Sequence, residues 1–306
     1  MEEHGNTTDN TEPPAHPQPR RDHKDVLFRY ILKDKEALLT LYNALNGTCH
    51  NNAEELEITT LEDVIYLSYK NDLSFIIGHT INIYEHQTTV NPNMPLRLLF
   101  YAARLYDIYV AEHGGKEQLY RSTLFRVPCP QFVVFYSGKA LQEEEKTLRL
   151  SDAYLEMPAG AKEPSLELAV RFININYGNN AGLLGKSREL EGYAIFVHKI
   201  RAYKEQGIGN AEAINRAIDD CIREGILREA FQKNRRGIMI SMLYEYDQEL
   251  HYQVLREQGF EQGIKQGIEQ GIEQGIAIGE ERSAKALAEQ AAEIAALRAQ
   301  LAGLRP

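Results

Sequence analysis

The chain has 306 residues, with 43% hydrophobic and 25% charged, close to a soluble globular average. Forty-four acids against 34 bases leave a net charge of −10, which excludes a chain that holds nucleic acid by bulk positive charge. The longest strongly apolar run, Phe132 to Tyr136, is far below the roughly 18 residues of a spanning helix, so no membrane role is expected.

Residues 1–24 open on acids and carry Pro13, Pro14, Pro17 and Pro19 among polar residues, with no apolar stretch that would make a secretory signal. Such a segment cannot bury enough surface to offset its ordering entropy and is expected as a disordered leader. Cys49, Cys129 and Cys221 are far apart and form no CxxC or Cys/His ligand cluster. A reducing, cytoplasmic setting fits that usage.

From Asp25 the pattern is helical: Val26, Leu27, Tyr30, Ile31, then Leu38, Leu39, Leu41, Tyr42 and Leu45, stopped by Asn46-Gly47. Thr60 and Asp63 form a capping signal before Val64, Ile65 and Leu67. Two β-rich runs follow, Leu73–Ile77 and Thr80–Gln87, joined by the turn signal Gly78-His79. Asn93 and Pro95 open a long amphipathic helix over 94–110. The run 131–136 reads as a fully buried strand, and 166–175 as another β-rich stretch. Helical segments are expected near 183–205, 210–232 and 236–258.

Glycines 259, 263, 267, 271, 275 and 279 then recur every four residues beside Phe260, Ile264, Ile268, Ile272 and Ile276. As a helix this sets a Gly stripe next to an Ile stripe, and a period above 3.6 makes a partner wrap right-handedly. Each interior Gly costs about 1 kcal/mol relative to Ala, so a lone helix here is expected to be unstable. The last residues place Leu287, Ile294 and Leu301 at heptad spacing, a short coiled-coil pattern. Self-association of the chain through this tail is the expectation. The whole reads as a leader (1–24), an α/β core (25–160), the remainder of the core with a helical region (161–256), and a repeat and coiled-coil tail (257–306).

Chemistry concentrates between Lys70 and Arg97. A hairpin sets the start of its first strand beside the end of its second, so Asp72 and Glu85 are expected to meet at its open end. Side chains alternate along a strand, which turns Glu85 and Gln87 to one face and His86 to the other. Two carboxylates are hard oxygen ligands suited to Mg²⁺ or another divalent cation. Such an ion polarises a phosphodiester and lowers the pKa of an attacking water. On spacing alone the plainer reading is a turn aspartate at Asp72 and a solvated strand end at Glu85. Arg97 and Arg104 share one helix face and Lys139 ends the later strand. All three are candidates for DNA phosphate contacts. Gly185-Lys186-Ser187 invites a phosphate-loop reading, but that motif needs Gly at 180, where Asn180 stands.

The segments KDVLFRYI (24–31), TLEDVIYLSYKNDLSFII (60–77) and NIYEHQTTVNPNMPLRLLFYAARLY (82–106), with QFVVFYSGK (131–139), are together similar to the PD-(D/E)XK nuclease superfamily. Within it they resemble the recombination-promoting nuclease (Rpn), or putative transposase, family, whose members also carry Gly-Ile repeat tails. The resemblance implies a restriction-endonuclease-like αβββαβ core in which Asp72 and Glu85 hold the metal and Asp25 assists from the first helix. It implies metal-dependent cleavage of DNA associated with recombination or mobile elements. Gln87 stands where the superfamily has Lys; it can orient a water or a phosphate but brings no charge. Lys70, two residues before Asp72, is a candidate for the missing charge. The other reading is a catalytically weakened relative acting as an oligomeric DNA- or protein-binding scaffold.

Overall fold

The computed structural model describes residues 26–59, 72–156, 160 and 162–302. Asp25, Lys70 and the Thr60–Asp63 cap signal lie outside the described residues. The chain divides into two compact units, Met1–Glu245 and Tyr246–Pro306.

The expected first helical run is two helices, α1 (Val26–Ile31) and α2 (Lys35–Asn46). Asp34 separates them because its carboxylate accepts from the Ala37 N–H, capping α2. A mixed six-stranded sheet follows, built from β1 (Glu57–Ile58), β2 (Leu73–Ile77), β3 (Thr80–Gln87), β4 (Cys129–Tyr136), β5 (Glu145–Arg149) and β6 (Ala169–Asn174). Their order is β1-β2-β3-β4-β6-β5. β2 and β3 form the expected hairpin, pairing Leu73 with Tyr84 and Ile77 with Thr80. β3, β4 and β6 are mutually parallel, and β5 closes the sheet antiparallel to β6. β5 is an edge strand with alternating exposure whose polar sequence gave no apolar signal.

Helix α3 (Met94–Glu112) connects β3 to the parallel β4 and covers one face of the sheet. Its Leu98, Tyr101 and Leu105 pack on Ile81, Ile83, Val134, Tyr136, Val170 and Phe172. Even-numbered β3 residues face the other side. Phe28 of α1 lies 4.9 Å from the His86 ring and 5.4 Å from Phe135, and Tyr193 closes the aromatic group. Tyr193 belongs to α5 (Arg188–Glu205), which follows the short α4 (Ala181–Leu184). Ser187, the residue that completes the false phosphate-loop pattern, is fully buried and caps α5 through the Leu190 N–H.

α6 (Asn210–Glu224) packs on α5, where Tyr203 donates to Asp220 and Lys199 pairs with Glu224 at 2.8 Å. α7 is helical over Arg228–Ala302, with a break in its dihedrals at Asn234. Within the second unit the repeat is helical. Gly opposes helix on entropic grounds but keeps its N–H and can adopt helical dihedrals, so it raises the cost without forbidding the structure. Ile264, Ile268, Ile272 and Ile276 are exposed there, and a Cβ at any of the six repeat glycines meets nothing within 4 Å.

The strand ends at the carboxyl edge of the sheet are pinned together. Ser137 N–H donates to the Gln87 carbonyl at 3.0 Å. Immediately beyond, a Cβ on Gly138 would stand 1.9 Å from the Thr88 carbonyl oxygen. Backbone cannot retreat from such a clash without separating the two loops. Gly138→Ala should therefore lower stability by about 2 kcal/mol or more, read as a drop in the urea midpoint. Cysteine exposure gives a second check. Cys49 and Cys129 are exposed, whereas Cys221 is buried in α6 and desolvation pushes its thiol up to about 12. At pH 8 two thiols should react with Ellman's reagent in the native protein, and the third only after unfolding.

Candidate metal centre

Glu85 is the third residue from the end of β3 and is only 3% exposed. A carboxylate this buried needs donors to offset its lost hydration. Two are supplied. The backbone N–H of Asp72 donates to Glu85 Oε1 at 3.2 Å, and Arg97 Nη2 of α3 lies 3.6 Å from Oε2. Asp72, one step beyond the Leu73–Tyr84 pair, returns the arrangement: its Oδ2 accepts from the His86 N–H at 2.8 Å. The two acids thus continue the hairpin with side-chain-to-backbone bonds, and the expected meeting of Asp72 and Glu85 at its open end is what the fold produces.

Strand alternation positions the neighbours. Gln87 lies on the Glu85 face, where its Nε2 contacts Met94 Sδ at 2.6 Å at the start of α3. Its Oε1 is buried and has no hydrogen-bond partner among the described residues. His86 points to the opposite face, where Nε2 is within 2.7 Å of Ser137 Oγ and 3.1 Å of Tyr193 OH. That histidine is part of the aromatic packing between sheet and α5, on the far side of the sheet from the acids.

Arg97 is the component that the sequence placed differently. It was a candidate for reaching DNA phosphates from the helix surface; in the fold it turns inward. Nη2 donates to Tyr101 OH at 2.9 Å and Nη1 approaches Met94 Sδ at 3.3 Å, the same sulfur that Gln87 contacts. Burial disfavours its charge, but the Tyr101 hydrogen bond and the fields of Glu85 and Asp72 outweigh that and raise its pKa. Burial, reinforced by Glu85, also raises the Tyr101 phenol, so it stays protonated. From sequence, Tyr101 reads as a core or interface residue of this helix. Its i,i+4 spacing from Arg97 is the signal that could have joined it to the site. Arg104 remains on the outer part of α3, paired with Asp107 at 2.7 Å. Lys139 is exposed in the loop after β4.

Among the described residues no group of three or more His, Cys, Asp or Glu side chains forms a metal cluster. The oxygen donors on this stretch are the carboxylates of Asp72 and Glu85 and, on the Glu85 face of β3, the amide oxygen of Gln87. These are hard oxygens, and the unpartnered buried acceptor on Gln87 is the kind of atom a cation or its water satisfies. Hard oxygens of this kind are the ligands that a divalent cation of the Mg²⁺ type takes. Arg97 occupies part of the same electrostatic role by neutralising Glu85.

No family model, curated protein or solved structure matches this chain. The chemistry therefore rests on the geometry of Asp72, Glu85, Gln87 and Arg97. Removing one member of a buried ion pair leaves the other uncompensated. Arg97→Gln should cost about 1–3 kcal/mol in metal-free buffer, less than for a fully enclosed pair because the arginine side chain is 36% exposed. Millimolar Mg²⁺ should recover part of that loss, measured as a narrowing of the urea-midpoint difference from wild type.

Proposed function

We propose that this protein is a Mg²⁺-dependent DNA endonuclease of the PD-(D/E)XK type, related to the recombination-promoting nucleases. The observation that carries the reading is the mutual anchoring of Asp72 and Glu85 at the open end of the β2–β3 hairpin, with the unpartnered Gln87 oxygen on the same face. The local order around it, α2, β1, β2, β3, α3 and β4, is compatible with an αβββαβ core.

In this reading Asp72 and Glu85 hold the divalent cation. When bound, the ion supplies Lewis-acid polarisation of a phosphate oxygen and lowers the pKa of the attacking water. Gln87 Oε1 accepts a hydrogen bond from that water and orients it for in-line attack on phosphorus. Arg97 brings the positive charge that Gln87 lacks at the position where the superfamily has Lys. It lies beside Glu85 and is available to offset charge building on the phosphate oxygens. Arg104 and Lys139 remain the outer candidates for backbone phosphates. DNA engagement then depends on the metal and on local cations rather than on a chain that is acidic overall.

A second reading is favoured by one contact. The Arg97–Glu85 pair already neutralises the acid that a metal needs, as expected of a weakened relative that binds DNA or a protein partner as an oligomeric scaffold. Supercoiled-plasmid nicking separates the two. Wild type with Mg²⁺ should nick, EDTA should stop it, and Asp72→Ala or Glu85→Ala should each reduce the rate by more than about 100-fold, beyond the loss typical of residues that merely support a ligand. Equal nicking by all three proteins would remove the assigned site, and DNA binding without any nicking would select the scaffold.

A further inference from the structure

From Phe260 to Ile276 every fourth residue of α7 is a large apolar side chain turned to solvent. Exposure along this row runs from 48% at Ile264 to 70% at Phe260. Monomeric proteins seldom leave a continuous apolar row of this length in water. A period of four on an α-helix gives four rows about a quarter turn apart, each drifting by only about 40° per repeat. One row is the apolar ridge. The row beside it is glycine, and a Cβ added at any of the six repeat glycines meets nothing within 4 Å. Gln lies opposite the ridge, and the charged row lies opposite the glycines. The helix therefore presents a ridge and an open groove of the same pitch, side by side.

Pitch and charge together select what covers the ridge. No helix of the described residues is long and apolar enough to cross a membrane. The charged row, Glu261, Lys265, Glu269 and Glu273, is mainly acidic and disfavours both an anionic lipid surface and nucleic acid. A partner that follows the whole row needs its own ridge and groove of four-residue pitch, and a second copy of this chain carries both. Seating i±4n ridges in i±4n grooves is the commonest helix–helix packing in globular proteins. Its negative crossing angle has the right-handed sense that a period above 3.6 imposes. The area is sufficient as well. Five apolar side chains each expose on the order of 100 Å². With the open glycine backbone between them, they approach the roughly 800 Å² that each partner gives to a standard interface. Interior glycines oppose an isolated helix, and burial of an apolar face is what ordinarily offsets that cost.

We propose that the repeat is a homodimer interface, in which the Phe260–Ile276 ridge of one protomer seats in the glycine groove of its partner. The inference stands apart from the nuclease reading, because no residue of that site takes part in it.

Light scattering on the full chain at micromolar concentration tests it, and wild type should return twice the mass of one chain. Combining Ile268→Glu with Ile272→Glu sets charge on the ridge and should weaken dimerisation by roughly 100-fold or more. Gly267→Leu is the sharper variant. Its side chain meets nothing within one chain and favours helix, so far-UV circular dichroism should hold or rise. It nevertheless fills the groove and should lower the mass to that of one chain, whereas association by general apolar stickiness would be strengthened by it. Gln270→Ala, on the row opposite the ridge, should dimerise like wild type. A one-chain mass for wild type would overturn the proposal. So would association of Gly267→Leu or of the double glutamate variant at least as tight as that of wild type.

Discussion

Glu85 is a carboxylate buried at the end of a central strand, and its need for donors organises the region around it. Water cannot supply them at 3% exposure, so protein groups must. Asp72 provides a backbone N–H, which holds the chain entering β2 beside the end of β3. Arg97 provides charge, which orients the first turns of α3 against the same strand end. The start of the hairpin and the start of the crossover helix are therefore both anchored on one side chain.

The site and a recess beside α5 share a structural origin. Parallel β3, β4 and β6 end at one edge, where Ser137 and Gly138 meet Gln87 and Thr88 at main-chain distance. That junction leaves an acidic face toward α3 and, toward α5, a recess lined by Gly138, Asn176 and Arg201.

The hairpin was legible because its signals are local: alternation over Leu73–Ile77 and Thr80–Gln87, and a Gly at the turn, give strand limits that agree residue for residue with the fold. The meeting of Asp72 with Glu85 followed from hairpin geometry alone. Less legible were β5, whose polar alternation resembles a loop, and the break between α1 and α2, where the Asp34 cap interrupts an otherwise continuous apolar pattern. Arg97 and Arg104 looked alike as helix-face cations. Only the packing of α3 on β3 distinguishes them, since one reaches Glu85 while the other pairs with Asp107 on its own helix. The recess left no trace in sequence at all: Gly138, Asn176 and Arg201 come from three separate stretches of chain.

By itself, then, the sequence determined the type of its strongly patterned runs, the hairpin, the shared face of Glu85 and Gln87, and the Gly-Ile register of the tail. Each depends on spacing along the backbone, where period 2 or period 3.6 dictates which side chains align. The tertiary structure decided the parallel alignment of β3, β4 and β6, the inward turn of Arg97, the placement of His86 against Tyr193, and the recess beside α5. These depend on which distant segments share a core, and burial, not propensity, selects among the alternatives that local spacing allows.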